Sequence, residues 1–241
     1  MPLRWFPLLC NDHYAMEPAF YVKIKIAFYI KKNCRFRIDV IRKECRSQDR
    51  RNSMSSLISQ SFPEFKLSAF HENEIKQIER KDILGHWSIF FFYPADFTFV
   101  CPTELSDLAD HYDEFKKSGA EIYSVSCDTV YVHKAWKDSS ERIRKIRYPM
   151  IGDPLAILPR ALNVFNEQAG TAYRASFIVN PEGNIVAYEV HDDGIGRSAT
   201  ELLRKLEAAN FVHEHGDQVC PANWHPGEET LKPSLDLVGL L

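Results

Sequence analysis

The chain has 241 residues, 45% of them hydrophobic and 26% charged, the balance of an ordinary globular protein with a proper core. Its net charge of −3 is uneven: residues 1–53 carry 12 Lys/Arg against 5 Asp/Glu, so +7, and the rest carries −10. An acidic body excludes the basic footprint of a nucleic-acid binder, and no run approaches the ~20 apolar residues of a membrane-spanning helix. Six cysteines without a CxxC pair fit neither a disulfide scaffold nor a CxxC redox motif, so a reduced, cytoplasmic setting is expected.

Residues 1–53 stand apart as a basic N-terminal extension. They lack the ordered zones of a secretory signal, and Asp12, Glu17, Asp39, Glu44 and Asp49 are too many acids for a mitochondrial presequence. The extension reads either as a disordered or start-site addition upstream of Met54, or as a basic tail that docks on the acidic body or on anionic partners. From Phe62 onward, elements alternate. A short strand is expected at 65–67, a core strand at 88–93, a helix over 102–118 closed by Gly119, and a second core strand at 120–127. A charged amphipathic helix follows over 131–147, stopped by Pro149, then a short helix at 155–162. Strands at 173–180 and 185–191 flank the turn Pro181-Glu182-Gly183-Asn184. The last helix runs over 198–211, with Ser198 as N-cap and Glu201 completing a capping box. Beyond it, residues 214–241 hold Pro221, Pro226 and Pro233 and read as an extended arm. The order argues an α/β fold, a central mixed sheet with helices on both faces.

Around Cys101 the chain reads Pro94-Ala95-Asp96-Phe97-Thr98-Phe99-Val100-Cys101-Pro102-Thr103-Glu104. Pro94 ends the aromatic strand, since proline cannot donate to a ladder. Leu105, Leu108, Ala109, Tyr112 and Phe115 then recur at helical spacing, and Pro102 suits the first helical position. Cys101 therefore lies at a helix N-terminus, where unpaired N–H groups and the helix dipole favour a negative sulfur.

This segment, with Pro94, Thr98 and Cys101 in the string PADFTFVCPTE, resembles the active-site signature of the typical two-cysteine peroxiredoxins, in particular those of bacterial alkyl hydroperoxide reductase type. A second stretch, Gly216-Asp217-Gln218-Val219-Cys220-Pro221-Ala222-Asn223-Trp224, resembles their resolving-cysteine segment, and the likeness covers about 55–241. The resemblance implies a thioredoxin-like fold, with a peroxidase domain at 54–213 and an arm at 214–241 that carries the resolving cysteine. It also implies a thiol peroxidase for hydrogen peroxide and organic hydroperoxides that needs no metal, haem or flavin of its own. Its electrons would come from a thioredoxin-like or flavoprotein disulfide reductase, and it would form an antiparallel homodimer assembling into a decameric ring.

On that resemblance Cys101 is the nucleophile and its sulfenic acid condenses with Cys220, of the partner subunit in the family; the residues alone leave an intramolecular bridge open. An ordinary thiol of pKa ~8.5 is roughly 3% ionised at neutral pH, so full ionisation gains only about 30-fold, or ~2 kcal/mol of barrier. Further help must reach the stretching oxygen–oxygen bond, and the donors implied are the Thr98 hydroxyl and the Arg174 guanidinium. Pro94 shields the pocket, while Glu104 and Arg197 support it, an acid bridging two arginines. The segment before Met150 lacks the Gly-Gly-Leu-Gly insertion of eukaryotic members, and Leu237-Val238-Gly239-Leu240-Leu241 lacks their Tyr-Phe tail, so resistance to over-oxidation is expected. Rival readings are a zinc site from His213, His215, Cys220 and His225, a thioredoxin-type oxidoreductase, and an oligomeric holdase scaffold. Cys127 is expected as a packed small hydrophobe, and His111 and His133 as helix-face residues without a role.

Overall fold

A computed structural model describes residues 56–239, and the expectations placed on residues 1–53 lie outside them. The elements open with β1 (Lys66–His71), β2 (Glu74–Glu79), β3 (Trp87–Phe92), α1 (Cys101–Asp110), α2 (Tyr112–Lys117) and β4 (Ala120–Ser126). There follow α3 (Val130–Ser139), α4 (Glu141–Arg144), β5 (Met150–Gly152), α5 (Ile157–Ala161), β6 (Phe165–Asn166) and β7 (Thr171–Ala172). The series ends with β8 (Arg174–Val179), β9 (Ile185–His191) and α6 (Ala199–Glu214).

Seven strands form one mixed sheet in the order β2-β1-β5-β4-β3-β8-β9. Every residue of β3 is buried because both sheet faces are covered, which explains its continuous apolar sequence. Its side chains alternate between the faces. Trp87, Ile89 and Phe91 enter one core with Leu105 and Leu108 of α1, Phe115 of α2, Trp136 of α3 and Leu206 of α6. Phe90 and Phe92 enter the other, with Phe62, Ile83, Leu158 of α5 and Phe177 of β8. Phe90 lies between Phe62 and Tyr123, with ring centroids 4.1 and 5.1 Å away. Helices thus cover both faces, more heavily on the first.

Several expected elements are corrected. The helix expected over 102–118 breaks at His111, whose Nδ1 sits 2.9 Å from the Asp107 carbonyl oxygen. The helix expected over 131–147 breaks at Ser140, which is extended (φ −113°, ψ 123°) after Ser139, two weak helix formers in a row. The strand expected at 65–67 runs to His71 and pairs with β2, which was not anticipated. Its isoleucines, Ile75 and Ile78, lack strand alternation, and Glu72 and Asn73 make the turn with positive φ but without glycine. The three-residue β5 is too short for a periodic signal. Gly152 in it is required by close approach, because a Cβ there would lie 2.8 Å from the Asp128 carbonyl oxygen.

Helix α6 runs to Glu214, past the expected end, and Ser198 Oγ accepts from the Glu201 N–H (3.3 Å). The Glu201 side chain turns to Arg204 instead of completing a capping box. The arm folds back: Val219 and Leu231 exchange backbone hydrogen bonds of 2.8 and 3.0 Å, and Trp224 is 3% exposed. Among the described residues no helix is long and apolar enough to cross a membrane.

Candidate active site

Cys101 is the first residue of α1 and its side chain is wholly buried. Pro102 follows in the second helical position, so the helix begins one residue earlier than expected. The segment from Tyr93 to Val100 joins the end of β3 to this helix, which sets the sulfur above the central strands. Arg174 reaches it because β8 runs antiparallel to β3 with Phe92 opposite Ala175, so Arg174 stands one step beyond the end of β3. Its Nη1 lies 3.4 Å from Cys101 Sγ and 2.7 Å from Glu104 Oε2, and its Nε donates to the Asp193 carbonyl (2.8 Å).

Glu104 is one helical turn along from Cys101, on the same face of α1. Its Oε1 accepts from the backbone N–H and Nε of Arg197 (both 2.9 Å), and its Oε2 from Arg197 Nη2 (3.1 Å) as well as Arg174. Arg197 also donates to Ser176 Oγ (3.2 Å), and its guanidinium carbon sits 3.4 Å from the centre of the Phe91 ring. Asp107 on α1 accepts from the Ala199 N–H (2.8 Å), so α1 holds the start of α6 through two acids. Glu104 and both arginines are all under 10% exposed. Buried charges persist only when paired, and here two cations share one carboxylate, leaving net positive charge against the sulfur.

The electrostatic directions follow. Burial alone would push the Glu104 carboxyl up, but its bonds from Arg197 and the nearby Arg174 charge hold it below the usual value. Burial works against the charged form of Arg174, but Cys101 and Glu104 outweigh it and raise its pKa. For Arg197 burial dominates and lowers it.

Thr98 and Pro94, both half-buried, lie on the joining segment. Thr98 donates its hydroxyl proton to the Ala95 carbonyl (2.8 Å), leaving its oxygen lone pairs to accept from another group. Cys220 is half-buried on the arm, its sulfur 3.8 Å from the Ala208 carbonyl on α6, among Ala208, Val212 and Val219. Burial pushes its thiol up, opposed by Arg204. Cys101, Cys127 and Cys220 are all free thiols. Cys127 is half-buried, and burial pushes it up to about 11. The imidazoles of the zinc rival turn to separate partners, His213 towards Glu182 and Trp87 and His215 to the Phe211 carbonyl.

His133 lies on a face of α3, as expected, and that face is turned inwards: its side chain is wholly buried, with Nδ1 2.7 Å from Asp96 Oδ2. The signals that point to it are Asp96, inside the Pro94–Thr98 motif, and the spacing of Val130, His133 and Trp136 along one face of α3.

The family model of AhpC/TSA matches residues 58–188, and that of the C-terminal domain of 1-Cys peroxiredoxin matches residues 208–239. Alkyl hydroperoxide reductase C of Salmonella typhimurium is 56% identical over 184 residues, 76% of this chain and 98% of that protein. The Bacillus subtilis protein of the same name is 50% identical over the same shares. Among solved structures, Enterococcus faecalis AhpC superposes with a TM-score of 0.68 at 57% identity, covering 69% of this chain and all of that one. The reduced 2-Cys peroxiredoxin of Plasmodium vivax gives 0.72 at 30% identity, covering 76% and 96%. With a thioredoxin-like sheet and a buried helix-terminal cysteine in contact with an arginine, the chain belongs to the AhpC/TSA family and is a peroxiredoxin, a thiol-dependent peroxidase of antioxidant function.

Proposed function

We propose that Cys101 reduces hydrogen peroxide and organic hydroperoxides and that Cys220 of a second subunit resolves the product. The Cys101 thiolate attacks the terminal peroxide oxygen and the oxygen–oxygen bond breaks. The sulfur becomes a sulfenic acid, and the departing oxygen takes a proton to leave as water or an alcohol. Arg174 donates to the peroxide oxygens as charge develops, Thr98 accepts a hydrogen bond from the peroxide while its own hydroxyl stays donated to the Ala95 carbonyl, the departing oxygen is protonated from solvent, and Pro94 shields the pocket. Glu104 and Arg197 keep Arg174 in place. The Cys220 thiolate then forms the disulfide, releasing the sulfenic oxygen as water, and a thioredoxin-like or flavoprotein reductase restores both thiols. We assign the enzyme to the cytoplasm, as a homodimer that assembles into a decamer.

The observation that carries this reading is the 3.4 Å contact between Arg174 Nη1 and the buried Cys101 sulfur, with the same nitrogen anchored on Glu104. Resolution between subunits is supported by the separation of the thiols within one chain. The arginine shell of Cys101 meets α6 at its N-terminal end, whereas Cys220 rests on Ala208, nine residues and roughly 14 Å of helix further on.

Non-reducing electrophoresis with peptide mapping, before and after one equivalent of peroxide, tests both parts. Wild type should give a covalent dimer linked Cys101 to Cys220, and Cys220→Ser should accumulate Cys101 sulfenic acid. An internally linked monomer would overturn the intersubunit step, and an unreactive Cys101 would overturn the whole reading.

A further inference from the structure

The segment that carries Thr98 is held by a buried polar cluster to which the peroxidase reading assigns no role. Asp96 accepts on Oδ1 from the Tyr93 hydroxyl (2.7 Å), and its Oδ2 faces His133 Nδ1 (2.7 Å). Its backbone N–H donates to Asp128 Oδ2 (2.9 Å), which also accepts from Ser126 Oγ (2.8 Å). The side chains of Asp96 and His133 are both wholly buried.

Two details give this cluster a direction. Phe97, next to Asp96, has φ +55°, a left-handed conformation that a bulky side chain adopts only when its surroundings over-determine it. Those surroundings are the Asp96 clamp on one side and Trp136 on the other, its ring centroid 5.9 Å from Phe97 and 6.3 Å from Tyr93. His133 and Trp136 are three residues apart on α3, so one helix face grips both Asp96 and Phe97. Thr98 is the next residue. The second detail is His133 Nε2, which is buried and has no partner. An unpaired buried nitrogen is destabilising, so packing alone is a poor reason for an imidazole here. The useful atom is Nδ1, which presents its proton to Asp96.

We propose that His133 is a positioning residue for the peroxide step, acting through Asp96 to hold the left-handed turn at Phe97 and so aim the Thr98 hydroxyl at the peroxide. The proposal rests on Cys101 being the peroxide-reactive thiol. It differs from a merely structural role in one consequence: the effect of His133 must pass through Thr98 and leave the charge balance at Cys101 and Arg174 untouched.

The test is the second-order rate constant for Cys101 oxidation by hydrogen peroxide, measured by rapid mixing on the full chain. Wild type, His133→Leu, Thr98→Val and the double variant form a cycle, with the Cys101 thiolate titrated by ultraviolet absorbance in each. We expect His133→Leu to slow oxidation about 10-fold in wild type but less than about 2-fold in Thr98→Val, with the titration unmoved. Equal slowing in both backgrounds, a shifted titration, or no slowing would overturn the proposal. Should His133→Leu not fold, His133→Asn and His133→Gln decide. Asn offers an N–H near the Nδ1 position and should stay within about 3-fold of wild type, whereas Gln offers one near Nε2 and should be slow. Equal rates for the two overturn it. A wild-type Cys101 that does not react at all removes the peroxidase reading itself, an outcome separate from these.

Discussion

Glu104 is the single acid between two buried guanidinium groups, and removing its charge strands both. Glu104→Gln keeps the shape but removes the carboxylate that the two buried cations share, which should cost about 3–5 kcal/mol of stability in denaturant titration at neutral pH. The acid limb follows from the direction of its shift. Its carboxyl is held below the usual value of 4.5 in the folded chain. Its stabilisation is therefore complete above pH 4.5 and is lost as the pH falls from there through the lower folded value. Wild type should lose stability steeply over that window and Glu104→Gln more shallowly; parallel acid limbs would show that the carboxylate is not carrying charge. At this scale the proposed site was legible because one motif contains Cys101, Pro94 and Thr98. Arg174 and Arg197 were reached only through the family resemblance, since nothing local tells a buried arginine at a strand start from a surface one.

Helix α6 and the arm that folds onto it carry Cys220, the thiol proposed to resolve the sulfenic acid. Trp224 fastens the arm: it is buried, its ring lies 5.0 Å from Phe211, its Nε1 donates to the Glu228 carbonyl (3.1 Å), and its own carbonyl accepts from Arg204 (3.5 Å). Trp224→Ala removes about 3–5 kcal/mol of local packing, from a segment outside both sheet cores. Hydrogen exchange should then accelerate across residues 215–232 and Cys220 should alkylate faster, while β3 and β4 keep their protection. Loss of protection throughout the sheet would show that the arm is part of the global core. The arm's start was visible in the loss of helical period, but its return onto α6 was not. One tryptophan among prolines carries no period, and only the docking of its ring shows that it is packed. The broken helices at His111 and Ser140 were misread for the opposite reason, since their apolar spacing continues across the break.

The molecule as a whole exposes aromatic surface beside its site. Phe99 is 94% exposed and Phe97 58% exposed, both on the segment leading to Cys101. We assign these two rings to the contact between dimers in the proposed ring. A buried phenylalanine is worth about 1.5–3 kcal/mol, so Phe99→Asp should weaken ring assembly at least about 10-fold per contact and shift sedimentation towards dimers. A ring that survives the change would place the assembly surface elsewhere.

Sequence alone determined the succession of elements along the chain around the motif, the buried β3 and the thiol at a helix N-terminus. Each of these is written in neighbouring residues, as an apolar run, a proline or a helical period. Tertiary structure decided that Arg174 reaches the Cys101 sulfur and shares Glu104 with Arg197, because β8 pairs with β3 in a register that no local pattern encodes. It likewise decided that His133, read as a helix-face residue, is buried against Asp96. A side chain's role in that core depends on what packs over it, and that partner lies 37 residues away along the chain.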